Sequence, residues 1–444
     1  MMPCDEKTGS CAAEQAEGKA ADWANAECMC VTLDRQRLAA LLDAELGVNG
    51  AGDTLLASQS TLFAAAPVFI DPATLSAMTE VVAAIETVAK TPAFRSVVMS
   101  WAPSSAARDF GPKGGLMGYD FHLTANGPRL IEINTNAGGA FLNALLADAQ
   151  TQCCRETRPA LVAGISQDTF RTRIARMFEE EWHAQDRAGE LECIAIVDDE
   201  PEEQPLFPEF LAARTLLQEH GYEVVIAGPD DLKLSPAGLL FEARKIDLVY
   251  NRLVDFSLDR PESRTLREAY LNDRVVLSPN PHIHALYADK RNLCLLSDPD
   301  WLASCGLSER ETKVILAAVP KTAIVDRKNA EQFWSERRDW FFKPARGYGS
   351  KAAYRGAKLT RRVWSEIAEG GYVAQRFTPP STRKVRLEND TAELKVDVRL
   401  YTYGGEILLR AARLYQGQAT NMRTPGGGFS PILPMPDAPD SGFR

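Results

Sequence analysis

The run Gly118-Tyr119-Asp120-Phe121-His122-Leu123, the turn around Asn126-Gly127, and the run Arg129-Leu130-Ile131-Glu132-Ile133 constrain this chain more than any other stretch. An Asn-Gly pair between two alternating runs adopts the positive φ angles of a tight reversal easily, so the segment is predicted to fold back as a β-hairpin. The strands are expected over Gly118 to Leu123 and Arg129 to Ile133, joined by the polar turn Thr124 to Pro128. Side chains two apart on a strand share a face, which sets Glu132 beside Asn134, and the reversal brings Asp120 to them. Two carboxylates and a carboxamide are hard oxygen ligands. They suit magnesium, which takes few protein ligands and leaves its other positions to water and phosphate oxygens. An exposed polar hairpin carries a similar pattern, so this triad gains meaning only from the rest of the chain.

A chain of 444 residues exceeds what one core organises, so two or three domains are expected. Residues 1–31 lack a clear period and are read as a disordered tail. Residues 32–187 are read as a helical segment followed by the hairpin. In that segment one helix is placed from Thr32, with Leu33, Leu38, Leu41 and Leu42 on one face, and a second from Asp71-Pro72, an N-cap followed by proline at the first helical position. A charged helix is predicted over roughly Ser166 to Gln185. Residues 188–288 alternate strands and helices: Glu192 to Val197, Phe210 to His220 closed by Gly221, Glu223 to Ile226, and Ile246 to Tyr250. That is the pattern of a small open α/β domain. Residues 289–444 are read as strands with glycine-rich turns, at Trp340 to Gly349, Tyr372 to Phe377 and Val396 to Tyr403.

Composition excludes several classes. The net charge is −10 and the basic residues are scattered, which does not suggest a nucleic-acid partner. No stretch reaches the roughly 18 to 20 apolar residues of a membrane span, and Met1 to Lys19 lacks an apolar signal core, so a cytoplasmic protein without a membrane partner is expected. The nine cysteines include no CxxC pair and read as free thiols rather than a metal framework.

Further motifs follow the hairpin. Phe341-Phe342-Lys343-Pro344-Ala345-Arg346-Gly347-Tyr348-Gly349-Ser350 is an apolar strand, a lysine and a glycine loop, which can lay backbone N–H groups of Gly347, Gly349 and Ser350 around phosphates while Lys343 supplies charge. It lacks the Walker order. Asn280-Pro281 precedes Asp289-Lys290-Arg291, and Pro320-Lys321-Thr322 follows. Tyr372 to Phe377 is an apolar strand whose end, Gln375-Arg376-Phe377, can serve as a hinge against an adenine edge.

In this order the pieces, closed by Asp397-Val398-Arg399, resemble the ATP-grasp superfamily. Its magnesium hairpin normally comes last, whereas here it comes first. That order resembles the circular permutation of eukaryotic-type glutathione synthetases, whose Glu-Ile-Asn-Thr segment is matched by Glu132-Ile133-Asn134-Thr135 and continues into Ala137-Gly138-Gly139. The likeness spans roughly residues 115–435. It implies an α/β (α+β) ATP-grasp fold in permuted order with a small α/β pre-ATP-grasp domain, ATP and Mg2+ as cofactors, and a homodimer as in those synthetases. It also implies Asp120, Glu132 and Asn134 as metal ligands and Lys290 and Lys343 on the phosphates. Arg252 and Arg423 would hold substrate carboxylates, Asn136 and Tyr119 would line the specificity pocket, and Gly426 to Gly428, with Gly427 at the centre, would form a lid. The family chemistry passes the γ-phosphoryl group of ATP to a carboxylate, and an amine then displaces phosphate to give an amide, with Arg413 helping to offset phosphoryl charge. The chain departs from that family at Gly118, where an arginine is usual two residues before the aspartate, and at Gly347, where a glutamate is usual.

Small carboxylate and amine substrates are therefore expected. The alternatives are a small-molecule kinase on the same fold, which would yield a phosphorylated product, and a non-catalytic ATP-binding regulator, which would bind nucleotide without turnover. No histidine is given a chemical role. His282 and His284 flank a turn, and His122 is placed on the strand face opposite Asp120.

Overall fold

The Asn-Gly turn does reverse the chain. In the computed structural model, which describes residues 20–29, 31–152, 167–347, 352–387 and 390–435, the strands Met117–Thr124 and Gly127–Asn134 pair antiparallel. Gly127 takes φ 92°, and Thr124 Oγ1 donates to its carbonyl oxygen at 2.8 Å. The ladder sets Asp120 opposite Glu132 but Phe121 opposite Leu130, so Ile131 is an extra residue on the return strand. Such a β-bulge turns its residue out of the ladder and re-aims its neighbours.

The hairpin is half of a larger structure. Met117–Thr124 pairs along Thr391–Tyr403, with Asp120 opposite Arg399. That long strand pairs on to Glu406–Tyr415, then Gly428–Pro434, and the parallel edge strand Val68–Ile70 completes the line; Ser381–Arg386 covers the other end of Thr391–Tyr403, making seven strands. Alternation sorts the two faces. Tyr119, Phe121, Val398, Leu400, Ala412 and Leu414 are buried in one core cluster with Leu75, Met78, Val82 and Ile85 of the helix Pro72–Lys90. The residues between them, Asp120, Asp397, Arg399 and Arg413, project from the other face into a cavity. Asp71 caps the Pro72–Lys90 helix as expected, accepting from Thr74 N at 2.8 Å. From that helix Glu86 accepts hydrogen bonds from Tyr119 and Tyr287, at 3.0 and 2.8 Å, fixing the hairpin against the Pro281–Tyr287 helix.

A second sheet is parallel throughout, in the order Val276–Ser278, Leu248–Asn251, Cys193–Val197, Glu223–Ala227. Its strands are apolar because both faces are covered. Ile194, Ile196 and Tyr250 pack with the helices Phe207–Glu219 and Gln167–Ala184, while Ala195, Val249 and Leu277 pack with Arg264–Leu271 and a small antiparallel sheet over residues 232–246. A third sheet, antiparallel, runs Thr322–Val325, Tyr372–Arg376, Trp340–Pro344, Tyr354–Arg355, and Phe333, Phe342, Trp364 and Ile367 join it to two helices.

Three expectations change. The predicted tail contains the helix Ala20–Glu27; residues 1–19 and 30 lie outside the described residues. Fully buried Arg383 holds the end of that helix by donating to the carbonyls of Ala24, Asn25 and Cys28, and also to Pro67. Val31–Leu33 is a strand rather than a helix start, and the helix runs over Arg35–Leu46 behind the N-cap Asp34, so Leu33 does not share its face. Between Lys290 and the third sheet the chain forms the helices Asn292–Leu296, Pro299–Ala303 and Glu309–Ala318, which were not anticipated. Among the described residues no helix is long and apolar enough to cross a membrane.

Candidate active site

A cavity of about 390 Å³ opens between the polar face of the large sheet, the antiparallel Thr322–Arg376 sheet and the Pro281–Tyr287 helix. It collects Asp120, Glu132, Asn134, Asn136, Lys290, Lys343, Gly347, Gln375, Arg376, Phe377 and Arg413, residues predicted from separate parts of the sequence. Gly349 and Ser350 lie outside the described residues.

The β-bulge builds the centre. The carbonyl of Ile131, freed from the ladder, accepts from Lys343 Nζ at 3.0 Å and from Gln375 Nε2 at 3.3 Å, and Lys343 donates again to Gln375 Oε1 at 3.0 Å. Burial, only partly offset by Glu132, brings the Lys343 ammonium down to a pKa of about 8. Lys290 donates to the Gly347 carbonyl at 2.8 Å and stands 3.5 Å from Glu132, tying the start of the glycine loop to the hairpin. Burial alone would raise Glu132, yet Lys290, Lys343, Arg413 and Arg399 together hold its carboxyl at about 2. It is ionised at any physiological pH.

Asp120 does not stand as a free ligand. It is 1% exposed and its oxygens are already taken: Arg399 donates through Nε and Nη2 at 2.6 and 2.7 Å, Arg413 Nη2 at 2.7 Å, and Asn134 Nδ2 at 3.1 Å. Arg413 also reaches Asp397, which accepts from Thr420 Oγ1 at 2.8 Å. The residues expected to share one metal therefore divide. Asp120 is the counter-ion of two guanidinium groups. Asn134 turns its amide nitrogen toward Asp120 and Glu132, which leaves its carbonyl oxygen without a hydrogen bond among the described residues, and Glu132 is the carboxylate with side-chain surface open to the cavity. A magnesium ion fits Glu132 and Asn134, completed by water and phosphate oxygens, but not Asp120.

Other expected residues lie elsewhere. Tyr119 is fully buried on the far face against Glu86. Arg423 is exposed and does not line the cavity. Gly426 to Gly428 is built into the fold: Ala65 N donates to the Gly426 carbonyl, Gly428 starts an edge-paired strand, and a Cβ at Gly427 would stand 2.4 Å from the Leu414 carbonyl oxygen. The segment along the cavity is instead Gly417 to Met422. At the hinge, the N–H groups of Arg376 and Phe377 are engaged by the carbonyls of Lys321 and Asp339.

Arg252 sits behind the cavity wall against Gly138, whose missing Cβ would stand 3.3 Å from an Arg252 nitrogen. Asn136 donates to the Arg252 carbonyl at 2.7 Å, and Arg252 donates to Tyr250 Oη at 3.3 Å. Arg252 Nε, Asn136 Oδ1 and Glu209 Oε2 are buried without a hydrogen-bond partner among the described residues. Burial pushes Glu209 up to about 7, against the pull of Arg252.

Sequence reading named Asp397 and Arg399 only as the ends of the closing motif, without a role, and missed the wall formed by Val254, Phe256 and His284. Phe256 and His284 stack with centroids 3.8 Å apart, and burial brings His284 down to about 3, so its imidazole is neutral. His122 lines the cavity on the same side as Asp120, as residues two apart on a strand should.

No family model and no curated protein matches the sequence. Solved structures do. The glutathione synthetase-like effector GSS30 from Globodera pallida, in its apo form, aligns over 90% of this chain and 98% of its own, with TM-score 0.53 at 12% identity. A protein described as a gamma-glutamylcysteine synthetase from Methylobacillus flagellatus aligns over 80% and 86%, with TM-score 0.46 at 11% identity. The ATP-grasp ligase PsnB, solved with minimal precursor, Mg and ADP, aligns over 56% and 91%, with TM-score 0.27 at 14% identity. At such identity the likeness to GSS30 speaks for the fold alone. The chain has the fold of a glutathione synthetase-like protein.

Proposed function

We propose that this protein is an ATP-dependent carboxylate–amine ligase that forms an amide bond through an acyl phosphate. The observation that carries the reading is the clustering of Lys290, Lys343, Arg399 and Arg413 around Glu132 and Asn134 in one cavity, four cations placed where negative charge gathers during phosphoryl transfer. Lys290 and Lys343 would bind the ATP phosphates, with the adenine toward Phe341 and Gln375 to Phe377. Magnesium, held by Glu132 and Asn134, would supply charge to the phosphates. A substrate carboxylate oxygen attacks the γ-phosphorus and ADP leaves. The amine nitrogen then attacks the acyl carbon, phosphate leaves, and the nitrogen loses a proton. Arg413, anchored on Asp120 and Asp397, is set to hold the transferring group.

Three unpartnered buried polar atoms at Arg252, Asn136 and Glu209 support a substrate-binding role for that end, because a ligand satisfying them would remove their desolvation cost. The hairpin precedes the nucleotide-side strands in sequence yet shares a sheet with strands near the C-terminus, which supports reading the chain as a permuted ATP-grasp protein. The test is ADP release with ATP and magnesium against pools of amino acids and γ-glutamyl dipeptides, with product masses. A mass equal to two substrates less water supports the ligase; ADP with a phosphorylated product would replace it by a kinase.

A further inference from the structure

The mouth of the cavity carries positive charge that the acids around it do not compensate. On the antiparallel sheet Phe341 stands opposite both Gln375 and Arg355, so these side chains share the face that lines the cavity. Arg355 lies over the Phe377 ring, its Cζ 4.4 Å from the centroid, and Lys358 lines the mouth at the end of the turn that follows. Lys395 faces them from the large sheet, two residues before Asp397 and on the same side of its strand. Its Nζ donates to the Gly417 carbonyl, which aims it. Burial, then the charges of Arg355 and Lys358, bring its ammonium below the usual lysine range, so the three stand close together. The nearby acids are engaged elsewhere: Asp397 by Arg413 and Thr420, and Glu393, outside the cavity, by Thr382 at 2.6 Å. Arg376 has Asp339 at 3.5 Å, whereas Arg355, Lys358 and Lys395 have no such carboxylate among the described residues, and Arg355 Nε is buried without a hydrogen-bond partner among them. Cations from two sheets thus face one another across the mouth without a counter-ion, an arrangement that repels until an anion enters it.

We propose that this mouth is a second anion site, which takes a phosphate dianion between Arg355, Lys358 and Lys395 while nucleotide fills the deeper part of the cavity. The phosphate is free or is carried as a monoester on a substrate. A guanidinium fork and two ammonium groups from separate elements match a doubly charged group with several acceptor oxygens, whereas a single carboxylate would leave part of that charge uncompensated. The site is distinct from Lys290 and Lys343, which are buried and held by the Gly347 carbonyl and by Ile131 and Gln375. It rests on the ligase reading only for the nucleotide that fills the deeper part, and not on amide formation.

The experiment titrates inorganic phosphate and O-phosphoserine by calorimetry into the full chain saturated with a non-hydrolysable ATP analogue and magnesium, for wild type, Arg355→Gln, Lys395→Gln and Lys395→Arg. Wild type should bind phosphate with the nucleotide in place. Each glutamine variant should weaken that binding about tenfold, the scale of one hydrogen bond to a charged group, and Lys395→Arg should retain it. Nucleotide affinity should stay unchanged in all four proteins, which also shows that the variants are folded. Variant-sensitive binding of phosphoserine in excess of inorganic phosphate assigns the group to a substrate ester, and the reverse assigns it to the free ion. Phosphate that binds only when nucleotide is absent, equal affinity in all four proteins, or a wild type that binds neither probe would overturn the proposal. Variant-sensitive phosphate binding by a protein that forms no amide would overturn the ligase reading and leave this one standing.

Discussion

Replacing Asp120 by asparagine separates a charge scaffold from a metal ligand. The wild-type carboxylate accepts from Arg399 twice, from Arg413 and from Asn134 while 1% exposed. Asparagine keeps one oxygen and turns an amide N–H2 toward guanidinium donors, so two buried cations lose most of their compensation. Asp397 still pairs with Arg413, which leaves Arg399 as the exposed loss. Removing one partner of a buried ion pair costs about 3–5 kcal/mol. At roughly 2–4 °C per kcal/mol for a cooperative unit of this size, the unfolding midpoint should fall by about 10 °C. The assay is thermal unfolding at one scan rate with chelator present and no nucleotide, where a metal ligand has no metal to hold. An unchanged or raised midpoint would refute the reasoning, because removing a carboxylate that only awaits a cation relieves repulsion.

Glu132→Gln should abolish ADP formation while circular dichroism stays that of the wild type; retained turnover would remove the magnesium assignment. Because the folded Glu132 carboxyl is held down to about 2, its ionised form stabilises the fold above the unfolded carboxylate range, and that contribution is lost as pH falls toward 2. The stability gap between wild type and Glu132→Gln should therefore close in acid, and a gap independent of pH would count against the charge cluster. Lys343, brought down to about 8, should lose its proton as pH rises through that value, so ATP binding to the free protein should weaken above pH 8 and Lys343→Arg should lack that limb. Glu209 is raised to about 7, so its contribution is fully present below its unfolded value and lost as pH rises through 7. Glu209→Gln should accordingly gain stability over wild type above pH 7 and not below pH 5; a constant difference in denaturant unfolding would contradict this.

The hairpin was legible because Asn126-Gly127 and strict alternation act over a few residues, and alternation correctly set Glu132 with Asn134. The bulge at Ile131 was not, since Leu130-Ile131-Glu132-Ile133 reads as regular strand and only pairing shows the extra residue. The partners of Asp120 were out of reach for a different reason: Arg399 is 279 positions away, and nothing local marks which strand will lie beside the hairpin. Gly118 had been noticed as a departure, but its meaning needs the neighbour that its missing Cβ would touch. The glycines at 426–428 suggested a lid from composition, yet backbone contacts with Leu62, Ala65 and Leu414 decide that they are packed. The Ala20–Glu27 helix looked featureless because its anchor, Arg383, comes from the far end of the chain.

The most direct test of the central claim labels the carboxylate pool with oxygen-18 and follows the phosphate released as ATP is consumed with magnesium and amines. An acyl phosphate intermediate transfers one labelled oxygen from the carboxylate to the departing phosphate, so phosphate carrying a single oxygen-18, formed in step with an amide product, is the predicted result. Phosphate without label, released while ADP accumulates, would contradict the account.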